Sequence, residues 1–166
     1  PAGQTVQAAP TIGPDGSLYI VTDWGVYAYS PYPQHQLIWQ YPLTGTKSTV
    51  AINREGTVAY IVSCDAHRIF AINTNNGRKL NEDTVNVVPP SEKTGSTIPL
   101  INNNGFVFVT NKLVYSDTVN IFDSNLKLLQ SITGRKISPP ALTDNDTVLF
   151  IKDDSLIKCS PATYIA

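Results

Sequence analysis

"PTIGPDGSLYIVTDWGVYAYS", residues 10–30, sets a Gly-bearing turn ahead of two short apolar runs that are themselves separated by "TDWG". The arrangement returns three more times along the chain. Aligned on Ile12, Ile52, Ile101 and Leu142, each copy carries an aromatic residue seven or eight positions later, at Tyr19, Tyr60, Phe108 and Phe150. Between these markers lie "GPDG", "NREG", "NNNG" and "TDND". Gly16, Gly56 and Gly105 occupy the place where a tight turn wants positive φ, and Asp146 takes it in the fourth copy. A second apolar run then closes each copy on a side chain able to bond its own backbone, at Ser30, Asn73, Asp123 and Ser160.

The runs are short, rich in Val, Ile, Tyr and Phe, and bounded by Gly, Pro, Asn and Asp, which is the signature of strands. No window sustains the i, i+3, i+4, i+7 spacing of a helix. A further strand completes the first copy at "QLIWQY" (36–41) and the third at "KLLQSI" (127–132). In the second copy the matching stretch, "RKLNEDTVNVV" (78–88), is longer and more polar, which predicts a distorted edge. Pro10, Pro99 and Pro140 fall in the first strand of three copies, where they are tolerated only at a strand start or outside a ladder pair.

A four-stranded antiparallel unit of about 40 residues, repeated in tandem, is what a β-propeller blade requires. One small twisted sheet cannot bury both faces by itself, so consecutive units must cover one another. The expected fold class is therefore all-β, with four consecutive four-stranded blades in a single repeat domain over 1–166. The approximate blades are 6–46, 47–95, 96–135 and 136–166, the last incomplete, which makes a partial propeller. The chain opens at Pro1 and has no Met, which reads as a piece of something larger.

Bulk composition narrows the partners. At 166 residues with 42% hydrophobic and 15% charged content, the chain is long enough and apolar enough for a packed core. Twelve basic residues against thirteen acidic ones leave a net charge of −1, with no strongly basic field to draw in nucleic acid. No apolar run approaches the roughly 20 residues of a membrane span.

The residues that define the unit also resemble a known repeat. "PTI", "DGSLYIV", "VYAY" and "LIW" within 10–39, together with "IFAINTNNGRKL" (69–80), are similar to the repeat of quinoprotein-like (PQQ-like) β-propellers. In that repeat the third strand carries an aromatic–Ala–aliphatic–Asp core, followed by a turn ending in Gly and a strand that often holds Trp. Ala28 and Ala71 match the Ala, Asn73 stands where Asp is usual, Gly77 matches the Gly and Trp39 matches the Trp. The later copies depart from it, with Ile121 and Lys158 in the Ala position.

The resemblance speaks to architecture rather than activity; a clear repeat scaffold with no nominable catalytic set reads as a non-enzymatic binding or scaffold module. Its partner would be another protein or the remaining blades of the ring, and its compartment periplasmic, luminal or extracellular. The alternative the resemblance carries is part of a PQQ-dependent quinoprotein dehydrogenase, and only there would PQQ and calcium be cofactors. A carbohydrate-binding propeller is the second alternative.

Chemistry-bearing residues are few. No Ser/His/Asp set or quinone–calcium constellation can be nominated, so no catalytic residue is assigned. "CDAH" (64–67) has two soft ligands at metal-like spacing but no second pair to join them, and reads as a polar turn. "DNDT" (144–147) resembles the start of a calcium loop without its Gly or distal Glu, and reads as a β-turn. Cys64 and Cys159 lie two blades apart and are expected to be free thiols. Trp24, Tyr32 and the segment 81–96 are the candidate exposed interaction elements, since aromatic residues on rigid loops are frequent anchors.

Overall fold

The computed structural model describes residues 3–85, 99–112 and 115–160. They form fifteen antiparallel strands in four consecutive sheets. The first sheet is β1 (Thr11–Ile12), β2 (Leu18–Thr22), β3 (Gly25–Tyr29) and β4 (Leu37–Pro42). The second is β5 (Ala51–Ile52), β6 (Val58–Ser63), β7 (Arg68–Asn73) and β8 (Lys79–Thr84). The third is β9 (Leu100–Ile101), β10 (Val107–Lys112), β11 (Asp117–Phe122) and β12 (Leu128–Gly134). The fourth has three strands among the described residues, β13 (Ala141–Leu142), β14 (Val148–Lys152) and β15 (Ser155–Cys159). Strand order follows chain order in every sheet, the meander of a propeller blade.

The opening turns behave as their residues demand. Gly16, Gly56 and Gly105 have φ of 84°, 72° and 82°, and Asp146 follows at 63°. The N–H of each bonds back three residues, to Gly13, Asn53, Asn102 and Thr143. Pro10, Pro99 and Pro140 each sit one residue before the two-residue strand, where no ladder donor is lost.

Sheets stack face to face through three apolar junctions. Tyr19, Val21, Val26, Ala28 and Trp39 of the first sheet meet Ala59, Ile61, Phe70 and Ile72 of the second. The opposite face of the second sheet, with Tyr60, Val62, Ile69 and Ala71, meets Val107, Val109 and Phe122. Phe108, Val119 and Ile121 then meet Val148, Phe150 and Cys159. Burial on both faces is why β6 and β7 read as nearly continuous apolar runs. Each Val, Ile or Phe among them contributes roughly 1.5–3 kcal/mol when fully withdrawn from water.

Two expectations need correction. The fourth copy's aromatic does not occupy the repeat position. Tyr19 pairs with Thr11 and Ala28, whereas in the fourth sheet it is Leu149 that pairs with Ala141 and Lys158. A one-residue offset turns a side chain to the other face of a sheet, so Phe150 looks back into the third sheet. The polar outer strand of the second copy is also not distorted over its described residues, while 86–88 of that stretch lie outside them. β8 carries one bulge, opposite Ala71 and Ile72, in the place where β4 and β12 carry theirs. Backbone ladders do not depend on apolar side chains, and the exposed strand carries ion pairs instead, Arg68–Glu82 at 2.8 Å and Lys79–Glu82 at 3.2 Å.

Candidate functional site

The meander gives each sheet two ends. Turns β1–β2 and β3–β4, with their equivalents, share one end. The β2–β3 turns and the links from one sheet to the next share the other. Trp24 lies in the β2–β3 turn and Tyr32 in the β3–β4 turn, so the length of β3 separates them, about 17 Å at the usual rise of ~3.3 Å per residue. The two candidate aromatics do not form one patch.

Trp24 is 61% exposed, yet its backbone is fixed from both sides. Its N–H donates to Thr22 Oγ1 at 3.2 Å, and its carbonyl accepts the Leu43 N–H at 3.2 Å. Gly25 follows with φ 150°, and a Cβ there would stand 2.2 Å from the Tyr41 carbonyl oxygen. The sequence "DWG" therefore places an indole in solvent on a turn that cannot relax. A shallow 270 Å³ depression lies at the same end, with Asp23, Lys47 and Asp65 in its lining. Tyr32, 82% exposed, rests edge-on against His35 with ring centroids 5.8 Å apart.

At the Tyr32 end, a deeper cleft of 460 Å³ opens between the second and third sheets. Its floor is Val58, Tyr60 and Ala71, and Leu80 forms a wall. Asn53, Asn81, Asn103, Asn104 and Asn125 also line the cleft. Tyr60 donates its phenolic proton to the Ser124 carbonyl at 2.9 Å, and Asn81 Nδ2 donates to the Asn125 carbonyl, so both sheets hold the cleft's shape. Burial pushes the Tyr60 phenol up to about 12, with the Asp123 and Glu55 carboxylates adding to the shift. Sequence reasoning did not find this cleft, because it arises from a gap between two sheets.

The remaining candidates resolve as structural. Cys64 and Cys159 form no disulfide and are buried in different junctions, and burial raises both thiols above their ordinary range. "CDAH" is a turn closed by the His67 N–H on the Cys64 carbonyl. In "DNDT", the Asp146 carboxylate accepts the Asn103 N–H at 2.6 Å and the Asn104 side-chain amide, which ties the fourth sheet to the third. Among the described residues no three His, Cys, Asp or Glu side chains gather to hold a metal ion. Of the segment 81–96, residues 81–84 belong to β8, and residues 86–98 lie outside the described residues. No helix among the described residues is long and apolar enough to cross a membrane.

No family profile and no curated protein matches the chain in sequence. Solved structures do match its shape. It is similar to BamB from Moraxella catarrhalis with a TM-score of 0.73 at 14% identity, covering 98% of this chain and 52% of that one. A protein of unknown function from Bacteroides caccae gives 0.65 at 17%, covering 99% and 60%. A quinohemoprotein alcohol dehydrogenase from Comamonas testosteroni gives 0.55 at 20%, covering 79% and 21%. At these identities the likeness establishes the fold alone: a partial β-propeller, spanning about half the length of BamB.

Trp39, the repeat's tryptophan, is buried with its indole N–H on the Thr74 carbonyl at 2.5 Å, and Trp24 stands apart on the rim.

Proposed function

We propose that this chain is a binding module, a stretch of propeller that offers the rim carrying Trp24 to a protein partner. The observation that carries the reading is the pairing of exposure with rigidity at Trp24. An indole held in solvent by a pinned turn loses little conformational freedom on docking, and such aromatics are frequent hot spots. Val6, 58% exposed and bridged to Thr22, widens the apolar surface at that end. A periplasmic, luminal or extracellular setting accompanies this reading through the repeat resemblance.

A photo-crosslinking amino acid placed at position 24, in cells of the source organism, tests it. The expected result is one discrete protein adduct that is absent when the probe sits at position 32, on the opposite end. Equal adducts at both positions, or none at position 24, refute the assignment.

A further inference from the structure

The cleft between the second and third sheets exists because of one residue. Asn81 pairs with Ala71 as Trp39 pairs with Ala28. In the first junction the indole covers the alanine and reaches the Thr74 carbonyl of the next sheet. In the second, a short amide makes the corresponding reach to Asn125, and the volume a tryptophan would fill is left open. The third sheet has Ile121 in place of the alanine, and its side chain packs into the junction with the fourth.

We infer that this cleft binds a neutral saccharide. Val58 and the half-exposed Leu80 offer apolar surface to the C–H face of a sugar ring, with buried Tyr60 beneath them. A side-chain amide carries both a donor and an acceptor, which suits neighbouring hydroxyls. Five asparagines line the cleft; Asn53, Asn81 and Asn104 are bonded within the protein, which leaves the exposed Asn103 and Asn125 amides as the ones offered to a ligand. The volume of 460 Å³ falls within the roughly 300–1,000 Å³ of small-molecule sites. Glu55 is the one carboxylate in the lining, which disfavours an anionic ligand. An extended peptide is a poorer fit, because it would need free backbone groups. The N–H groups of Asn103, Gly105 and Asn125 are already bonded to Asp146, Asn102 and Asp123. The inference is independent of the Trp24 rim, which lies at the other end of the sheets.

Titration with maltotriose, cellotriose and triacetylchitotriose, followed by two-dimensional amide NMR, tests the site. At least one trisaccharide should shift the side-chain amides of Asn81, Asn103 and Asn125 saturably, at millimolar concentration and with no dependence on ionic strength. The double substitution Asn103→Ala with Asn125→Ala should weaken binding about tenfold or more, since each lost ligand bond is worth several-fold. Asn81→Trp should abolish it by filling the cleft, while Trp24→Ala should leave it unchanged. Both positions of the double variant are exposed turn residues, so that arm decides the matter if Asn81→Trp does not fold. The inference is overturned if no trisaccharide saturates, if the double variant binds as tightly as the parent, or if an uncharged Gly-Ser peptide saturates the same resonances more tightly.

Discussion

The first and second junctions are made from the same repeat, yet one is filled and the other is not. Between the first and second sheets, Trp39 lies against Tyr19 with ring centroids 5.9 Å apart, and it is only 6% exposed. Between the second and third, the matching position holds Asn81, and the space becomes a cleft. Strand order and bulge position are the same in both. At the matching outer-strand position the side chain differs. A propeller of this kind therefore separates its two tasks by position. The inner strands fix the stack, while the outer strand decides whether a junction is core or pocket.

The most damaging way to break this contrast is to empty the full junction. Trp39→Ala removes the indole from a site that backbone relaxation cannot close, and should lower stability by about 3–5 kcal/mol. Thr74 also loses the donor to its carbonyl. Denaturant unfolding followed by circular dichroism measures the change. A loss below about 1 kcal/mol would mean that the indole is not the element closing the first junction.

Next in size is the socket that receives the indole. Gly77 has φ 69°, and a Cβ there would lie 2.9 Å from the Trp39 ring. Gly77→Ala combines a left-handed backbone with a steric clash, and should cost about 1–3 kcal/mol. Combined with Trp39→Ala, the clash with the ring is gone and only the 3.0 Å contact with the retained Cβ remains, so the two losses should add to less than their sum. Full additivity in that double-mutant cycle would show that Gly77 acts on the turn alone.

How much of this is legible in the amino-acid sequence depends on which residues set the spacing. Turn residues and prolines carry their meaning locally, so Gly16, Gly56, Gly105 and Asp146 fall where positive φ is required, and Pro10, Pro99 and Pro140 mark strand starts. Ala28, Trp39 and Gly77 likewise show their packing roles through the repeat. Register is harder to read. The β5–β6 turn is one residue longer than the other three, with Ile52 opposite Ala59 where Ile12 is opposite Leu18 and Leu142 opposite Val148. A spacing of seven or eight therefore admits both Leu149 and Phe150, and only the ladder chooses. Asn81 stays hidden for the same kind of reason. Unequal β3–β4 and β7–β8 turns and a bulge place it ten residues beyond Ala71, while Trp39 is eleven beyond Ala28. A pocket between sheets has no motif of its own.

The open junction can be sharpened through its floor. Tyr60→Phe keeps the ring but deletes the hydrogen bond to Ser124, and should lower stability by about 1 kcal/mol at neutral pH. The same residue gives a signature in alkali. Its phenol is raised from its ordinary value of 10.0 to about 12 in the fold, so the native state holds a proton that the unfolded chain has already released. The stability tied to that proton is whole below pH 10 and disappears as pH climbs from about 10 to about 12. Buried Cys64, Cys159 and Tyr19 shift in the same direction, so the diagnostic quantity is the difference between parent and Tyr60→Phe across that interval. Parallel stability–pH curves would show that the phenol is not held protonated by the second junction.

The smallest expected effect belongs to the tryptophan that takes no part in any junction. Trp24→Ala removes an exposed side chain whose turn is fixed by backbone and Thr22 bonds that alanine retains, so stability should move by no more than about 0.5 kcal/mol. Against the loss expected at Trp39, that gap separates the two tryptophans by role, since residue type is the same and only position differs. The emission spectrum offers a second reading. The parent should combine a blue-shifted component from Trp39 with a red-shifted one from Trp24, and Trp24→Ala should leave the blue component alone. If Trp24→Ala proves as destabilising as Trp39→Ala, the rim indole is part of the core and cannot serve as a free anchor for a partner.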